Sequence, residues 1–522
     1  MPEEAFTPSG AQRLVEAAVG AGVEVCFANP GTTELPLVDA LDRVPGVRAV
    51  LGLFEGVCTG AADGYARVAG EPALTLLHLG PGFANGIANL HNARRARTPV
   101  VNLIGDHATW HVSADAPLTS DIVSLASPVS GFVRTCGTAD GLAGDVLAAL
   151  AASVDPPGQV ATLIVPADCQ WDPAPSQPPP APRRPRAAPV DEETVASAAK
   201  AMRTASSPVL YLGGAALGER GLSAAARIQA ATRRPVFAET FAAKVERGGA
   251  LPWFQSLPYF PERAVEALAG ADVFVTAGAP PPVSFFAVPG VPSTLSPPTA
   301  SHLALADPGN DVAAALEALA DALGAPERVV QDARPALELP SGPDLNADVA
   351  GLAVAALLPE GAIVVDEGAT SGLGYTVRSP FAARHTTLGL TGGAIGIGLP
   401  LAVGAAVAAP DRRVVALQAD GSGMYTVQAL WTMAREALDV TVVVFANRRY
   451  AILGLELMRA GVEQPGPIAN DLTDLSRPDL DWVSLAAGMG VPGWSATSAD
   501  EFTDHLRRSL ATSGPSLIEA VI

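Results

Sequence analysis

Two polar residues in the stretch VVALQADGSGMYTVQALWTMAREALDVTVVVFANRRY, residues 414–450, could form a metal site. Asp420 and Asn447 each follow an apolar run, over 414–419 and 440–446, and the residues between these runs have the spacing of a helix. We therefore predict a strand–helix–strand unit in which both residues lie at one edge of a parallel sheet, on neighbouring loops. A carboxylate and an amide oxygen suit Mg²⁺, which takes few protein ligands and leaves its other positions to phosphate oxygens and water.

The residues after the carboxylate indicate what else this edge could bind. Gly421 and Ser422 would open the helix, where backbone N–H groups can approach a diphosphate. The same residues could instead form an ordinary Asp-Gly turn, with Asn447 at an ordinary strand end, as in any α/β protein. The pattern favours a magnesium-bound diphosphate and leaves the structural turn as its alternative.

A carboxyl group and an imidazole follow two apolar runs nearer the N-terminus. Glu55 comes after AVLGLF, and His78 lies at the end of ALTLLHL. Glu55 could share a proton with a bound group, or it could be a helix N-terminal residue stabilised by the helix dipole. His78 precedes a glycine-rich turn at 80–82 and could contact a substrate, transfer a proton or make a structural hydrogen bond. Residues 29–32 end the first apolar run in the same way.

The composition limits the partners and the compartment. The chain has 522 residues, 49% of them apolar, and a formal net charge of −20, so we expect no nucleic-acid partner. Four cysteines, none in a CxxC pair, indicate buried thiols in a reducing compartment, and the acidic start does not have the pattern of a secretion signal. We therefore expect a cytoplasmic protein. The uncharged stretch 386–410 contains six glycines and, in its interior, Pro400. It predicts a buried helix, at a subunit interface, rather than a membrane span.

Short apolar runs alternate with helical patterns along the whole chain, which predicts parallel sheets covered by helices on both faces. The fold class that we expect is α/β, with three doubly wound parallel-sheet domains. The predicted boundaries are an N-terminal domain at 1–172, a Pro-rich linker at 173–190, a middle domain at 191–325, a linker at 326–345 and a C-terminal domain at 346–522.

The unit at 414–450 resembles the diphosphate and magnesium motif of thiamine diphosphate enzymes, which opens with Gly-Asp-Gly and closes with Asn-Asn. Ala419 and Ala446 depart from that motif. Asp420 and Asn447 keep the two ligand positions, so the resemblance implies a site for Mg²⁺ and thiamine diphosphate.

Three other segments resemble the same superfamily. FANPGTTELP (27–36) and residues 52–105 are similar to its pyrimidine-binding domain, and 392–406 is similar to the helix beneath the cofactor. Across its length the chain resembles acetolactate synthase large subunits and benzoylformate decarboxylases. The resemblance implies pyrimidine-binding, middle and diphosphate-binding domains, and the backbone carbonyl of Arg449 as the third metal ligand.

The resemblance also implies roles for single residues. Glu55 would contact N1′ of the aminopyrimidine and promote loss of the C2 proton, while Thr32 and His78 would face the substrate. Ile395 would hold the cofactor in a bent shape, with ordinary helix packing as the alternative. The residues implied to bind the cofactor are Asn29, Gly31, Glu55, Thr370, Gly393, Ile395, Gly421, Ser422, Asn447 and Tyr450.

The substrate side departs from these decarboxylases. They carry a second active-site histidine in the middle domain, whereas the similar stretch here, 278–290, has Phe285 and Phe286 and no histidine. His107 and His111 would line the substrate entrance, with a zinc site as the alternative. The middle domain has a Gly-Gly turn without the full dinucleotide fingerprint, so we expect no flavin.

The function that we predict is that of a thiamine diphosphate- and Mg²⁺-dependent enzyme acting on a 2-oxo acid. It would decarboxylate the acid to a cofactor-bound enamine and join this to a second carbonyl, as acetolactate synthases do, because the missing histidine weakens protonation. The alternatives are a simple decarboxylase that releases an aldehyde and a catalytically dead binding subunit. The resemblance implies a homodimer or homotetramer in which Glu55 of one subunit acts on a cofactor held by another.

Overall fold

The computed structural model describes residues 7–329 and 334–522. Residues 1–6, and residues 330–333 within the predicted linker 326–345, lie outside these ranges. Within them the apolar runs form the strands of three sheets, and the segments between them form helices on both sheet faces. The predicted α/β class with three domains is therefore confirmed.

The N-terminal domain contains a six-stranded sheet in which every strand pair is parallel. Its strands are β1 (Val25–Asn29), β2 (Arg48–Leu51), β3 (Ala73–Leu77), β4 (Val100–Asp106), β5 (Phe132–Thr135) and β6 (Val160–Pro166). Its helices are α1 (Gly10–Gly20), α2 (Leu35–Arg43), α3 (Glu55–Ala69), α4 (Leu79–Ala96), α5 (Ile122–Ala126), α6 (Leu142–Val154) and α7 (Ala167–Trp171). The strand order is β2-β1-β3-β4-β6-β5, so the strands that precede Glu55 and His78 both lie next to β1.

The middle domain has a smaller parallel sheet, and one of its segments leaves the domain. Its strands are β7 (Pro208–Leu212), β8 (Val236–Ala238), β9 (Lys244–Arg247), β10 (Val273–Ala277) and β11 (Ser301–Ala306). Its helices are α8 (Glu192–Thr204), α9 (Glu219–Thr232), α10 (Pro261–Leu268) and α11 (Val312–Ala322). Four strands form a sheet in the order β11-β10-β7-β8, whereas β9 joins the sheet of the C-terminal domain.

The C-terminal domain has a seven-stranded sheet, including β9. Its own strands are β12 (Ile363–Glu367), β13 (His385–Gly389), β14 (Val414–Ala419), β15 (Val440–Ala446), β16 (Gly493–Ala496) and β17 (Ser516–Val521). Its helices are α12 (Ala347–Leu357), α13 (Leu373–Thr376), α14 (Gly398–Ala408), α15 (Asp420–Gly423), α16 (Ala429–Arg435), α17 (Ala451–Arg459), α18 (Pro467–Asp471), α19 (Trp482–Gly488) and α20 (Ala499–Ala511). The order is β16-β17-β15-β14-β12-β13-β9, and only the β13–β9 pair is antiparallel.

The prediction of one buried helix over 386–410 is wrong. The first residues belong to β13, a glycine-rich loop follows, and only α14 is helical. Gly393 and Gly396 in the loop have φ angles of 77° and 95°, a conformation that a right-handed helix cannot contain. Burial of α14 itself was predicted correctly, because Gly398 to Ala406 are all buried.

Helix α14 packs against α3, so the N-terminal and C-terminal domains meet within the chain. A Cβ atom on Gly64 would lie 2.2 Å from the carbonyl oxygen of Leu401, and one on Gly404 would lie 1.8 Å from that of Ala61. Two glycines therefore allow the two helix backbones to touch. This junction holds the cofactor-related segments of both domains against each other.

The predicted helix after Asp420 is interrupted. It consists of α15, a 3₁₀ turn over Met424–Thr426 and then α16. Glycine has a low helix propensity, and Gly421 and Gly423 both lie in α15. In addition, Thr426 Oγ1 donates a hydrogen bond to the carbonyl oxygen of Gly396, which ties the 3₁₀ turn to the glycine-rich loop.

The four cysteines are free and buried, as predicted. Burial raises the pKa of the Cys26 thiol to about 12, so this thiol stays protonated at neutral pH. Across residues 7–329 and 334–522, no helix combines the length and the apolar character needed to cross a membrane.

Candidate active site

Asp420 lies at the sheet edge that the sequence predicts for it. It is the first residue of α15 and directly follows β14, which pairs in parallel with β15. Its Oδ2 accepts a hydrogen bond of 2.6 Å from the backbone N–H of Arg448, and its Oδ1 accepts one of 2.8 Å from Gly421. Burial raises the pKa of the Asp420 carboxyl, and these two N–H groups counteract that effect. The carboxylate is thus fixed at the start of the neighbouring loop.

Asn447 follows β15 and lies on that neighbouring loop. Its side-chain oxygen accepts a hydrogen bond of 3.0 Å from the backbone N–H of Arg449. A Cβ atom on Gly421 would lie 2.4 Å from the ring of Tyr450, so only glycine fits beneath that ring. The guanidinium group of Arg448 forms an ion pair with Asp479 at 3.3 Å. Two side-chain oxygens and a glycine-lined backbone therefore meet at this edge.

A second buried carboxylate, Glu367, lies at the end of β12 and was not predicted. Its Oε1 accepts hydrogen bonds from the N–H groups of Gly396 (2.7 Å) and Ile397 (3.3 Å), and its Oε2 accepts one from Gly398 (2.7 Å). Oε2 also accepts a bond of 2.9 Å from Nε2 of Gln418. Burial raises the pKa of Glu367 against the effect of these four donors. Glu367 thus holds the second half of the glycine-rich loop.

The first half of that loop is held from the N-terminal domain by α4. Oδ1 of Asn92 accepts hydrogen bonds from the N–H groups of Gly392 (3.1 Å) and Ala394 (3.3 Å), and its Nδ2 donates to the carbonyl oxygen of Ala394 (2.7 Å). Ile395 follows directly and is half-buried. Because α14 begins only at Gly398, the alternative that Ile395 packs within a helix is wrong.

Thr370 lies in a 3₁₀ turn, Ala369–Gly372, that directly follows β12 and Gly368. It is half-buried at the carboxyl edge of the C-terminal sheet. Ser422 is buried in α15 at the same edge. The predicted diphosphate-binding residues of this domain therefore all follow neighbouring strands of one sheet, β12, β14 and β15.

In the N-terminal domain, Glu55 is the first residue of α3 and is 8% exposed. Its Oε2 accepts a hydrogen bond of 2.9 Å from Nδ2 of Asn85 on α4, a residue that sequence analysis did not single out. A Cβ atom on Gly82 would lie 2.8 Å from Oε1 of Glu55 and 3.3 Å from Cβ of His78. Glu55 and His78 therefore flank the same glycine.

His78 forms a hydrogen-bonded pair with a carboxylate that the sequence did not reveal. Its Nδ1 lies 2.8 Å from Oε2 of Glu34, whose side chain is completely buried, whereas the imidazole is 26% exposed. The Glu34 carboxylate also accepts hydrogen bonds from the N–H of Gly31 (2.7 Å) and from Oγ1 of Thr33 (2.6 Å). An acceptor surrounded by donors fixes the proton of His78 on Nδ1 and leaves Nε2 available.

The predicted role of Thr32 has no contact to support it, because Thr32 is exposed and Thr33 is the threonine beside the imidazole, at 3.4 Å from Nδ1. Asn29 is half-buried at the end of β1. A Cβ atom on Gly31 would lie 2.2 Å from Nδ1 of His78, so this glycine makes room for the ring.

The middle domain adds an aromatic cluster that we define as Phe241, Tyr259, Phe260, Phe285 and Phe286. The ring centroids of Phe285 lie 5.0 Å from Phe241, 5.8 Å from Tyr259 and 4.8 Å from Phe286. The cluster reaches the glycine-rich loop, because a Cβ atom on Gly393 would lie 2.6 Å from the ring of Phe285. Phe286 is 61% exposed, so the cluster is open on one side.

Helix α17 follows Tyr450 and is attached to this aromatic cluster. Arg459, its last residue, forms hydrogen bonds with both carboxylate oxygens of Glu262 at 2.6 Å and lies over the ring of Phe260 at 4.4 Å. None of the residues of α17 is buried, and Leu453 is exposed.

His107 and His111 lie after β4, with their ring centroids 5.4 Å apart. The exposed Trp110 stacks edge-on against His111.

Among the described residues, no hydrogen bond or ion pair joins Glu55 or His78 to Asp420 or Asn447. We call the residues at the edge of the N-terminal sheet, Glu55 and His78, and those at the edge of the C-terminal sheet, Asp420 and Asn447, the two half-sites.

Comparisons with known proteins agree with this arrangement. Residues 8–125 match the family described as "Thiamine pyrophosphate enzyme, N-terminal TPP binding domain", and residues 370–520 match "Thiamine pyrophosphate enzyme, C-terminal TPP binding domain". The chain is 51% identical to the Mycobacterium tuberculosis protein named "Putative acetolactate synthase large subunit IlvX", over 98% of this chain and 99% of that protein.

More distant relatives include both decarboxylases and acetolactate synthase large subunits, among them isozyme 1 of Escherichia coli, which is 26% identical over 98% of this chain and 94% of that protein. The chain is 28% identical to benzoylformate decarboxylase from Pseudomonas aeruginosa, over 95% of this chain and 96% of that enzyme. Its fold matches the solved structure of the thiamine diphosphate-dependent 4-hydroxybenzoylformate decarboxylase of Rhodococcus jostii RHA1, with a TM-score of 0.86, 26% identity and coverage of 98% and 99%. The fold, the two half-sites and these matches together show that the chain belongs to the family of thiamine pyrophosphate enzymes.

Proposed function

We propose that the protein is a thiamine diphosphate- and Mg²⁺-dependent decarboxylase of 2-oxo acids that releases an aldehyde. The observation that carries this proposal is the placement of Glu55 and His78 on either side of Gly82. A carboxyl group suited to the cofactor and an imidazole suited to the substrate thus face one small space at the edge of the N-terminal sheet.

The residues at the C-terminal edge fit a metal-bound diphosphate. From the residues that the structure describes, each carboxylate oxygen of Asp420 accepts one hydrogen bond, so each keeps acceptor capacity for a cation. Asp420, the side-chain oxygen of Asn447 and the backbone carbonyl of Arg449 would hold Mg²⁺. Gly421, beneath Tyr450, leaves room for phosphate oxygens beside the N–H groups of α15.

Thiamine diphosphate, when bound, would supply the nucleophilic carbon for attack on a keto group and the electron sink for loss of carbon dioxide. Glu55 shares a proton with N1′ of the aminopyrimidine, and the hydrogen bond from Asn85 fixes the orientation of its carboxyl group. Asn92 and Glu367 hold the loop that places Ile395 beneath the cofactor.

His78 is the group that we propose to move the proton at the substrate. Its Nδ1–H is committed to Glu34, so Nε2 of the neutral ring is an acceptor. Nε2 would take up a second proton from solvent and pass it to the substrate carbon after carbon dioxide leaves. The sequence favours carboligation because a second histidine is absent. The buried Glu34 partner, which the sequence did not reveal, favours protonation and therefore aldehyde release.

Carboligation is the second candidate, and one observation supports it. Phe285 and Phe286 occupy the middle-domain segment where the similar decarboxylases have a histidine, so residues 278–290 supply no imidazole to this side of the site. The same aromatic cluster favours a 2-oxo acid with an aromatic side chain, because aromatic rings pack well against each other.

We also propose that the enzyme is a homodimer or homotetramer with active sites between subunits. Large apolar side chains on and after α17 are exposed in the single chain: Leu453 (47%), Met458 (58%), Ile468 (75%) and Leu472 (74%). A second copy would cover them and bring a complementary half-site. The four free thiols support a reducing, cytoplasmic location.

The test is to incubate the purified protein with thiamine diphosphate and Mg²⁺ and with pyruvate or benzoylformate, each with and without an aldehyde acceptor. Products are identified by mass spectrometry. We expect benzaldehyde from benzoylformate as the main product. A hydroxyketone as the main product would show that the enzyme is a carboligase rather than a decarboxylase. Binding of the cofactor without turnover of any 2-oxo acid would overturn both and leave a binding subunit.

A further inference from the structure

We propose that Glu367 is a positioning residue that sets the distance between the glycine-rich loop, residues 391–398, and the edge that carries Asp420. This inference rests on the proposed function only in that the loop and the edge are taken to hold the same cofactor. The hydrogen bonds that carry it belong to the chain itself.

Glu367 is 4% exposed and accepts from four donors, the N–H groups of Gly396, Ile397 and Gly398 and the amide of Gln418. Three consecutive backbone N–H groups bound to one side chain fix the position of that loop. A Cβ atom on Gly398 would lie 2.4 Å from Oε1 of Gln418 and 2.8 Å from Oε2 of Glu367, so the loop cannot approach further.

The connection continues from Glu367 to the Asp420 edge. Nε2 of Gln418, the donor to Glu367, also donates a hydrogen bond of 2.6 Å to Oγ of Ser422. Ser422 lies in α15, two residues after Asp420, and its Oγ donates to the carbonyl oxygen of Ala419 at 3.2 Å. Two side chains therefore join the loop to the helix start that carries the metal ligand.

Only a carboxylate can satisfy this arrangement. All four partners of Glu367 are donors, and an ionised carboxylate is an acceptor at both oxygens. Glutamine has nearly the same shape but would place its NH₂ group against at least one N–H donor. Leaving a buried donor without a partner destabilises the conformation that buries it. Because Asn92 holds residues 392–394 independently, the loss falls on residues 396–398 alone.

The test compares Glu367→Gln with Glu239→Gln. Glu239 follows β8 in the middle domain and accepts one backbone bond, from Gly214 at 2.7 Å, so it is another strand-end carboxylate outside both half-sites. Two measurements are made: amide hydrogen exchange of the cofactor-free proteins, and calorimetric affinity for thiamine diphosphate at saturating Mg²⁺.

For Glu367→Gln we expect exchange at residues 396–398 to accelerate and the affinity to fall, each by about tenfold. For Glu239→Gln we expect faster exchange only near residue 214 and unchanged affinity. Protected residues 396–398 together with unchanged affinity in Glu367→Gln would overturn the inference. Wild-type protein that does not bind thiamine diphosphate would instead overturn the proposed function.

A second variant keeps the inference testable if Glu367→Gln does not fold. Gln418→Met removes the bond to Ser422 but leaves the three backbone bonds of Glu367. It also deletes Oε1 of Gln418, a buried atom without a partner among the described residues. We expect protected residues 396–398 and an affinity lower by about threefold. Unchanged affinity in this variant would contradict the connection to the Asp420 edge.

Discussion

In the N-terminal domain the carboxylates of Glu34 and Glu55 bond to the side chains of His78 and Asn85, whereas in the C-terminal domain Glu367 and Asp420 bond chiefly to backbone N–H groups. A side-chain partner can change its orientation, or in the case of histidine its protonation, while the backbone stays in place. A backbone N–H group can change its hydrogen bond only if the main chain moves. Two sheets with similar topology thus hold their carboxylates differently. Under the proposed function, one edge would serve proton transfer and the other would anchor the cofactor.

The largest effect that we expect comes from the anchoring edge. Asp420→Ala removes the carboxylate ligand and should abolish Mg²⁺-dependent binding of thiamine diphosphate, and with it all turnover. Isothermal titration with and without Mg²⁺ measures this. The control is Asp411→Ala, an exposed aspartate of the same domain that should bind like wild type. Binding retained in Asp420→Ala would show that this edge does not anchor the cofactor.

The proton-transfer edge should respond in the opposite way. Glu55→Gln keeps the shape of the side chain but cannot share a proton with N1′, so turnover should fall by about a thousandfold. Affinity for the cofactor should stay within about threefold, because the anchoring edge is intact. Steady-state kinetics measures the turnover, and calorimetry on the same preparation measures the affinity for the cofactor. Comparable losses in turnover and in affinity would show that Glu55 also anchors the cofactor.

The two domains also differ in how they hold a histidine. His385 is buried and lies 2.7 Å from the hydroxyl of Tyr375, and burial lowers its pKa to about 4. The unfolded chain therefore binds the proton first on acidification, at the ordinary pKa of about 6.5. The contribution of His385 to the free energy of unfolding should be fully present above pH 6.5. It should fall by about 3 kcal/mol as the pH drops to 4.

Urea unfolding of wild type and His385→Gln at several pH values isolates this contribution from that of the carboxylates. The difference between the two proteins should change between pH 6.5 and 4 and be constant above pH 7. A constant difference throughout this range would mean that folding does not lower the pKa of His385.

The smallest effect should come from the pair that orients the proton donor. The glutamine side chain in Glu34→Gln can present either its oxygen or its NH₂ group to Nδ1, so it no longer fixes the proton of His78 there. We therefore expect aldehyde release to fall by about tenfold with unchanged affinity for the cofactor. Mass spectrometry with an added aldehyde acceptor should then show a larger share of hydroxyketone. Asp42→Asn is the control, because Asp42 is an exposed carboxylate on α2 outside both half-sites.

Local patterns were sufficient to predict much of the fold. The strands at 414–419 and 440–446 are found as predicted, because continuous β-branched and apolar residues leave few alternatives for a buried strand. The stretch 386–410 was predicted wrongly for a related reason. A segment that is apolar on all sides has no periodicity, so a strand, a loop and a helix within it cannot be told apart.

The candidate site was predictable where a residue follows its strand directly, as Asp420, Asn447 and His78 do, or within a few residues, as Glu55 does. Glu34 and Glu367 were missed because their partners are distant in sequence. Glu34 meets His78 across 44 residues, and Glu367 meets Gly396 across 29. Such pairs depend on the neighbouring positions of strands in a sheet, which the pattern of a single strand does not contain.

Strand β9 has a consequence for how the chain can be divided. It belongs to the middle domain by sequence, yet Lys244 to Arg247 pair with β13 and close the edge of the C-terminal sheet. An exposed sheet edge is a template for aggregation. A protein engineer who excises the C-terminal domain alone would open that edge, and one who exchanges the middle domain must carry these four residues across. During synthesis on the ribosome, β9 emerges before β13 and remains unpaired until β13 has been synthesised.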